Sequence, residues 1–307
     1  MIKAENISKS FGFVKAIDDL SFEVKTGEII GFLGPNGAGK TTTMRILTGF
    51  LAPDQGKVTI EDVSVAEDPT AAQKFIGYLP ENNPLYGEMQ VKEVLSLAAD
   101  LQNIPKNERE EAFDFVVKSA GIESVFYRPV GELSKGYKQR VGIATALIHK
   151  PKIIIMDEPT EGLDPNQRTE IRKLIKKLAE KHTVIMSTHV MQEASAVCNR
   201  MLIINKGKIV ADGTAEEISQ ASNNENILQV EIEGRNAEKL LRDIEGVREV
   251  KVESSQDGRV SATIMHKREK SLQPEISSLA KSNDWTIWKI NQKEHNLEDI
   301  FQQLTNK

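Results

Sequence analysis

The nine residues "GPNGAGKTT", Gly34 to Thr42, restrict this chain more than any other stretch. They follow an apolar run, "EIIGFL", that reads as a strand, and they open an amphipathic stretch, "KTTTMRILTGF", that reads as a helix. The stretch fits G-x-x-x-x-G-K-[ST], and with glycine at about 7% of residues a chance match in such a chain is on the order of one in a hundred. Each part has a physical task. Gly34, Gly37 and Gly39 let backbone N–H groups curl around phosphate oxygens, and Pro35, Asn36 and Ala38 complete the cradle. Lys40 supplies a point charge for the β- and γ-phosphates, and the Thr41 hydroxyl can ligate Mg²⁺. Thr42 lies in the first turn of a helix whose positive end faces the anion.

Three further stretches carry chemistry. "IIIMDEP" places Asp157 and Glu158 directly after a buried strand, and in open α/β sheets ligands sit at the carboxyl ends of strands. Asp157 can hold Mg²⁺ through its shell. Glu158 points the other way by strand alternation and can take a proton from an attacking water. His189, in "MSTHV", closes another strand at the same edge and is a candidate γ-phosphate contact. Asp164, Pro165 and Gln167 make a good helix start, so capping alone accounts for Asp164. In "GELSKGYKQR", 131–140, Ser134 and Gly136 open a second helix in a way that suits an anion. Ser134 as a plain N-cap is the simpler reading, and the two are compatible.

Over roughly the first 220 residues, short apolar runs alternate with amphipathic stretches, which predicts a parallel α/β sheet. The strand signal fades across about 88–148, which predicts a helical insert. The polar "SQASNNENI", 219–227, reads as a linker. Beyond it the order βαββαβ predicts a small α+β module of ferredoxin-like type over 226–307, with a last helix carrying Leu297, Ile300, Phe301 and Leu304.

The composition excludes some functions. The net charge of -5 gives no global pull toward nucleic acid. No apolar run approaches the ~18 residues that cross a bilayer, and the N-terminus lacks the build of a signal peptide. A single cysteine, Cys198, excludes an internal disulfide and fits a reducing cytosol. Membrane business is therefore expected to run through a partner.

A phosphate loop, then LS-x-G, then a hydrophobic-Asp-Glu strand, then Asp and His, in this order, resembles the ATP-binding subunit of ABC transporters over roughly residues 1–220. The resemblance implies a P-loop NTPase cassette with a helical subdomain, and an ATPase that turns ATP and water into ADP and phosphate. Two such subunits, an identical pair expected here, would join head to tail. Ser134 and Gly136 would then bind the partner copy's γ-phosphate, and Asp164 is expected among the nucleotide-binding residues. "LSKGYKQR" matches the family's signature at Leu133, Ser134 and Gly136 and departs from the commonest form, LSGGQ, at Lys135 and Tyr137. Phe11 matches the aromatic position that stacks on adenine, with core packing as its alternative. Glu81 stands where the family usually has Gln, and can reach Mg²⁺ or its waters as an acceptor only. Pro84, Leu85 and Tyr86 would either receive a transmembrane permease subunit or pack on the helical insert. Glu81, Lys135 and the extra C-terminal module resemble the ABC-2 exporter branch. The implied place is the inner face of the cell membrane, held there by the permease. The rival reading is a soluble ABC ATPase acting on ribosomes or nucleic acid, disfavoured by the single phosphate loop and the lack of sustained heptads or a basic arm. A nucleotide-sensing regulator is a weaker third.

Overall fold

A computed structural model of the chain describes residues 1–221, 225–256, 258–267, 271–293 and 297–305. The chain opens with β1 (Ile2–Phe11) and β2 (Val14–Val24), then β3 (Ile29–Leu33), which leads through the phosphate loop into α1 (Lys40–Leu47). β4 (Gln55–Ile60), β5 (Val63–Ser64), α2 (Pro69–Gln73) and β6 (Ile76–Leu79) follow. Then come three helices in a row, α3 (Val91–Leu101), α4 (Arg109–Ala120) and α5 (Lys135–Leu147). β7 (Ile153–Met156), α6 (Pro165–Ala179), β8 (Thr183–Thr188), α7 (Met191–Val197), β9 (Arg200–Asn205) and β10 (Lys208–Gly213) complete this part.

Six strands make the central sheet, in the order β10-β9-β3-β8-β7-β6. All neighbours are parallel except β10, which runs antiparallel to β9. Strands of a parallel sheet are covered on both faces and read as unbroken apolar runs. The four residues of β7 illustrate the rule, since all are buried. Ile154 and Met156 face the core shared with the helical stretch, where Val94, Val116 and Ile143 lie. Ile153 and Ile155 face the opposite core, with Phe32, Met44 and Leu20. The second of these cores is capped by an antiparallel sheet of order β2-β1-β4-β5. Because β3, β6, β7 and β8 are parallel, their carboxyl ends emerge along one edge. That edge positions the site.

Contacts group Met1–Ala215, with Leu304 and Thr305, into one compact unit, and Glu216–Gln303 into another. The linker expected over 219–227 is largely regular structure instead: α8 (Ala215–Ala221) takes its start, β11 (Glu225–Glu233) takes its end, and 222–224 lie outside the described residues. Ile218, just before the polar stretch, is buried. The second unit continues with α9 (Ala237–Arg242), β12 (Val247–Gln256), β13 (Arg259–Lys267), α10 (Gln273–Ser282) and β14 (Thr286–Lys293), in the expected βαββαβ order. Its sheet runs β12-β13-β11-β14, antiparallel throughout, over a core of Leu228, Ile232, Leu241, Ile264 and Ile276. The last helix, α11, spans Leu297–Thr305. Among the described residues no helix is long and apolar enough to cross a membrane.

Candidate nucleotide-binding site

The loop after β3 is fixed by close backbone approach. Gly39 is the N-cap of α1 with φ of 108°, and a Cβ there would lie 2.5 Å from the Ala16 carbonyl oxygen. At Gly34 a Cβ would lie 2.3 Å from the Ile204 carbonyl oxygen. Only glycine meets both demands. Lys40 follows at the start of α1 and is only 6% exposed. Its Nζ donates to Gly34 O at 2.8 Å and Pro35 O at 3.2 Å, and lies 3.3 Å from Glu158 Oε1.

The acidic pair follows the end of β7 at Met156, with Asp157 lining one cleft and Glu158 the next. The Asp157 N–H donates to Leu79 O at 2.8 Å, which extends the ladder by one residue. Asp157 is fully buried. Its Oδ1 accepts from the Ser187 hydroxyl, while Oδ2 is buried with no hydrogen-bond partner. A buried carboxylate oxygen without a partner is costly, and a hard cation with oxygen ligands would satisfy it. Thr41 and Glu81 line the same cleft as Asp157, so the residues present fit Mg²⁺. Burial first, and then the Asp157 charge, push the nearby Tyr78 phenol up to about 12. Glu158 has a positive φ of 49°, strained for a non-glycine residue. Its N–H donates to Ser187 Oγ at 2.9 Å, and its Oε2 lies 3.1 Å from His189 Nδ1.

His189, one residue beyond β8, also approaches Glu161 Oε2 with its Nε2 at 3.7 Å. Glu158, Glu161 and His189 come within 4.8 Å of one another through one ligand atom each and could in principle hold a cation. The Lys40 ammonium beside Glu158 opposes that, which leaves Asp157 with Thr41 as the better-matched metal position.

Lys40, Glu158, Glu161 and His189 surround one cavity of about 470 Å³, within the size range of small-molecule sites. Asn36, Gly37, Gly39, Lys40, Thr41 and Thr42 form its phosphate-loop wall. Glu81, Glu158, Glu161 and His189 lie opposite. Phe11, Val14 and Ala16 supply an apolar flank. Phe11 is 53% exposed, so the core-packing alternative fails, and an open ring at the rim suits stacking.

Asp157 lines the adjoining cleft, and three expected site residues, Ser134, Gly136 and Asp164, line neither. Ser134 caps α5, its Oγ accepting from the Tyr137 N–H at 3.3 Å. Gly136 backs onto Gln167, where a Cβ would stand 3.1 Å away. Asp164 caps α6, its Oδ1 accepting from the Gln167 N–H at 2.9 Å. Within one copy, these residues form a separate cluster. Of the apolar loop, Leu85 packs against the helical core while Pro84 and Tyr86 stay exposed. Two residues of the site carried no motif. Glu161 lies three residues after Glu158, and Ser187 two before His189; adjacency was their only signal.

A triphosphate cradle at the edge of a parallel sheet, beside a strand-end Asp-Glu pair and a helical insert, defines an ATP-binding cassette of the P-loop NTPase class. The family model described as "ABC transporter" matches residues 17–161. The chain is 32% identical to the linearmycin resistance ATP-binding protein LnrL of Bacillus subtilis (strain 168), over 100% of this chain and 99% of that one. It is 35% identical to YdbJ, an uncharacterised ABC transporter ATP-binding protein of the same strain, over 99% of this chain and 95% of that one. It is also similar to a solved dimeric structure of the ATP-binding cassette MJ0796 in a post-hydrolysis state bound to ADP and Pi. The TM-score is 0.63 and the identity 27%, over 70% of this chain and 98% of that one. The chain belongs to the ABC transporter family as an ATP-binding ATPase subunit.

Proposed function

We propose that this chain powers a separate transmembrane permease, in an exporter of the ABC-2 kind, and works as a pair of identical cassettes on the inner face of the membrane. The observation that carries the ATPase part of this reading is the meeting of Lys40, at the start of α1, with Glu158 and His189, just past β7 and β8, at one cavity. The resistance function in LnrL's name, and its match along the full length, support the export branch.

In the proposed cycle Phe11 stacks on the adenine, and the backbone of Gly34 to Thr42 holds the phosphates. Mg²⁺, held by Thr41 and Asp157 with Glu81 nearby, supplies neutralising charge to the phosphate oxygens when bound. Lys40 and His189 offset the charge that develops at the γ-phosphate. Glu158 accepts a proton from water as the water oxygen bonds to phosphorus and the bond to the β-phosphate oxygen of ADP breaks. Ser134, Gly136 and Asp164 sit apart in one copy, and pairing head to tail would bring them to the partner copy's γ-phosphate. This explains why one chain carries two anion-binding loops.

Glu158→Gln keeps the hydrogen-bonding shape and loses the base. It is expected to slow phosphate release by about 10²-fold or more and to accumulate as an ATP-bound dimer in size-exclusion chromatography. Tagged protein is expected to co-purify with a multi-helix membrane protein from mildly solubilised membranes. Recovery of ribosomal proteins or nucleic acid with no such subunit would favour the soluble ATPase instead.

A further inference from the structure

We propose that Glu193 and Thr160 are positioning residues that hold Glu158 in its working geometry, an inference that rests on Glu158 being the base. Glu193 lies in α7, four residues beyond His189, and is 5% exposed. A carboxylate is costly to bury unless it is paired. Its Oε2 accepts from the hydroxyl of Thr160, itself buried, and its Oε1 lies 3.8 Å from Arg168 Nη1. Arg168 reaches back through Nε to the Leu163 carbonyl at 2.9 Å. Glu193 therefore restrains the strap 158–163 in its middle, through Thr160, and at its far end, through Arg168. Ser187 restrains the near end at the Glu158 N–H.

Two of these restraints, at Ser187 and Glu193, come directly from 187–193, the short segment that also bears His189, and the third passes from Glu193 through Arg168 of α6. The 3.1 Å approach of Glu158 to His189 and the 3.7 Å approach of Glu161 to the same ring are thus set from one side. The strap also starts with Glu158 at positive φ, a conformation that persists only when its surroundings over-determine it. An apolar contact between α7 and the strap would hold distance alone. A carboxylate, a hydroxyl and a guanidinium fix direction as well.

The test uses the full chain and compares Thr160→Val, which keeps the shape and removes the hydroxyl, with Thr160→Ser, which keeps the hydroxyl. Misplacement of a reacting group by a fraction of an ångström lowers turnover without loss of binding, so Thr160→Val is expected to lower kcat about tenfold. KM and the ATP dissociation constant are expected to stay within about twofold, while the melting temperature falls because Glu193 Oε2 loses its partner. Thr160→Ser is expected to restore kcat. Glu193→Gln keeps an acceptor for Thr160 but loses the charge facing Arg168, and is expected to fall between the two. Wild-type kcat in Thr160→Val, or a loss that Thr160→Ser does not restore, would overturn the proposal. Glu158→Gln is assayed alongside. If it hydrolyses ATP at the wild-type rate, the base assignment itself fails. If it is inactive while Thr160→Val is normal, only the positioning role fails.

Discussion

The two units of this chain both stack helices on a sheet, but they treat charge in different ways. In the first, side chains far apart in sequence, Lys40, Asp157, Glu158 and His189, gather at one edge. In the second, described polar groups pair along the outside of the strands, as Arg259 does with Glu231 at 2.8 Å and with the Trp288 ring at 4.4 Å. Strand direction accounts for the contrast. Parallel strands deliver all their carboxyl ends to one edge, where loops from different parts of the sequence meet. An antiparallel sheet sends alternate ends to opposite edges. The second unit has an ordinary apolar core and no comparable convergence among its described residues.

The sharpest way to break this comparison is Lys40→Ala. Phosphate release is expected to fall by about 10³-fold, because the charge at the centre of the convergence is gone. A protein that still hydrolyses ATP would show that the strand-end cluster is not the active centre.

Next in size is Leu228→Ala, at the buried centre of the second core. It is expected to cost about 2–5 kcal/mol of that unit's stability while phosphate release stays at the wild-type level. Both tryptophans, Trp285 and Trp288, lie in the second unit, so fluorescence during urea unfolding reports this loss directly. A parallel fall in hydrolysis would mean the two regions are not separable in function.

The smallest effect separates the units by pH. Burial pushes both Tyr78 and Cys198 up to about 12, with the Asp157 charge adding to the effect at Tyr78. Each group holds its proton more tightly folded than unfolded. Its contribution is complete below its unfolded pKa, 10.0 for the phenol and 9.0 for the thiol, and is lost as pH rises toward 12. All four tyrosines and the cysteine belong to the first unit. Unfolding followed by Cys198 alkylation is therefore expected to shift to lower urea across that window, and Tyr78→Phe to reduce the shift. The tryptophan-monitored transition is expected to move less.

The same contrast explains what the sequence could show. The phosphate loop and the Asp157-Glu158 strand end were legible because each is a contiguous pattern with a local cause. The capping roles of Ser134 and Asp164 were legible for the same reason. Ser187, Glu161 and Glu193 were not, because a common residue type acquires its task only when β7 and β8 lie side by side. The openness of Phe11 depends likewise on where β1 ends in space. The Ser- and Asn-rich stretch after Ile218 did not show that α8 runs on to Ala221, because composition reports solubility and not the helix.

One contact has a consequence for how ligands come and go. The Lys40 ammonium donates to the Gly34 and Pro35 carbonyls and is ion-paired with Glu158. An arriving phosphate therefore does not meet a bare cation; it competes with a resident anion tethered to the same chain. Affinity then measures a trade of carboxylate for phosphate, and weak ligands lose that trade. The competing carboxylate belongs to the same chain, so it stays within reach of the ammonium whatever the solution holds. Under the proposed assignment, the residue that activates the water is thus the same one that pairs with the cradle's lysine.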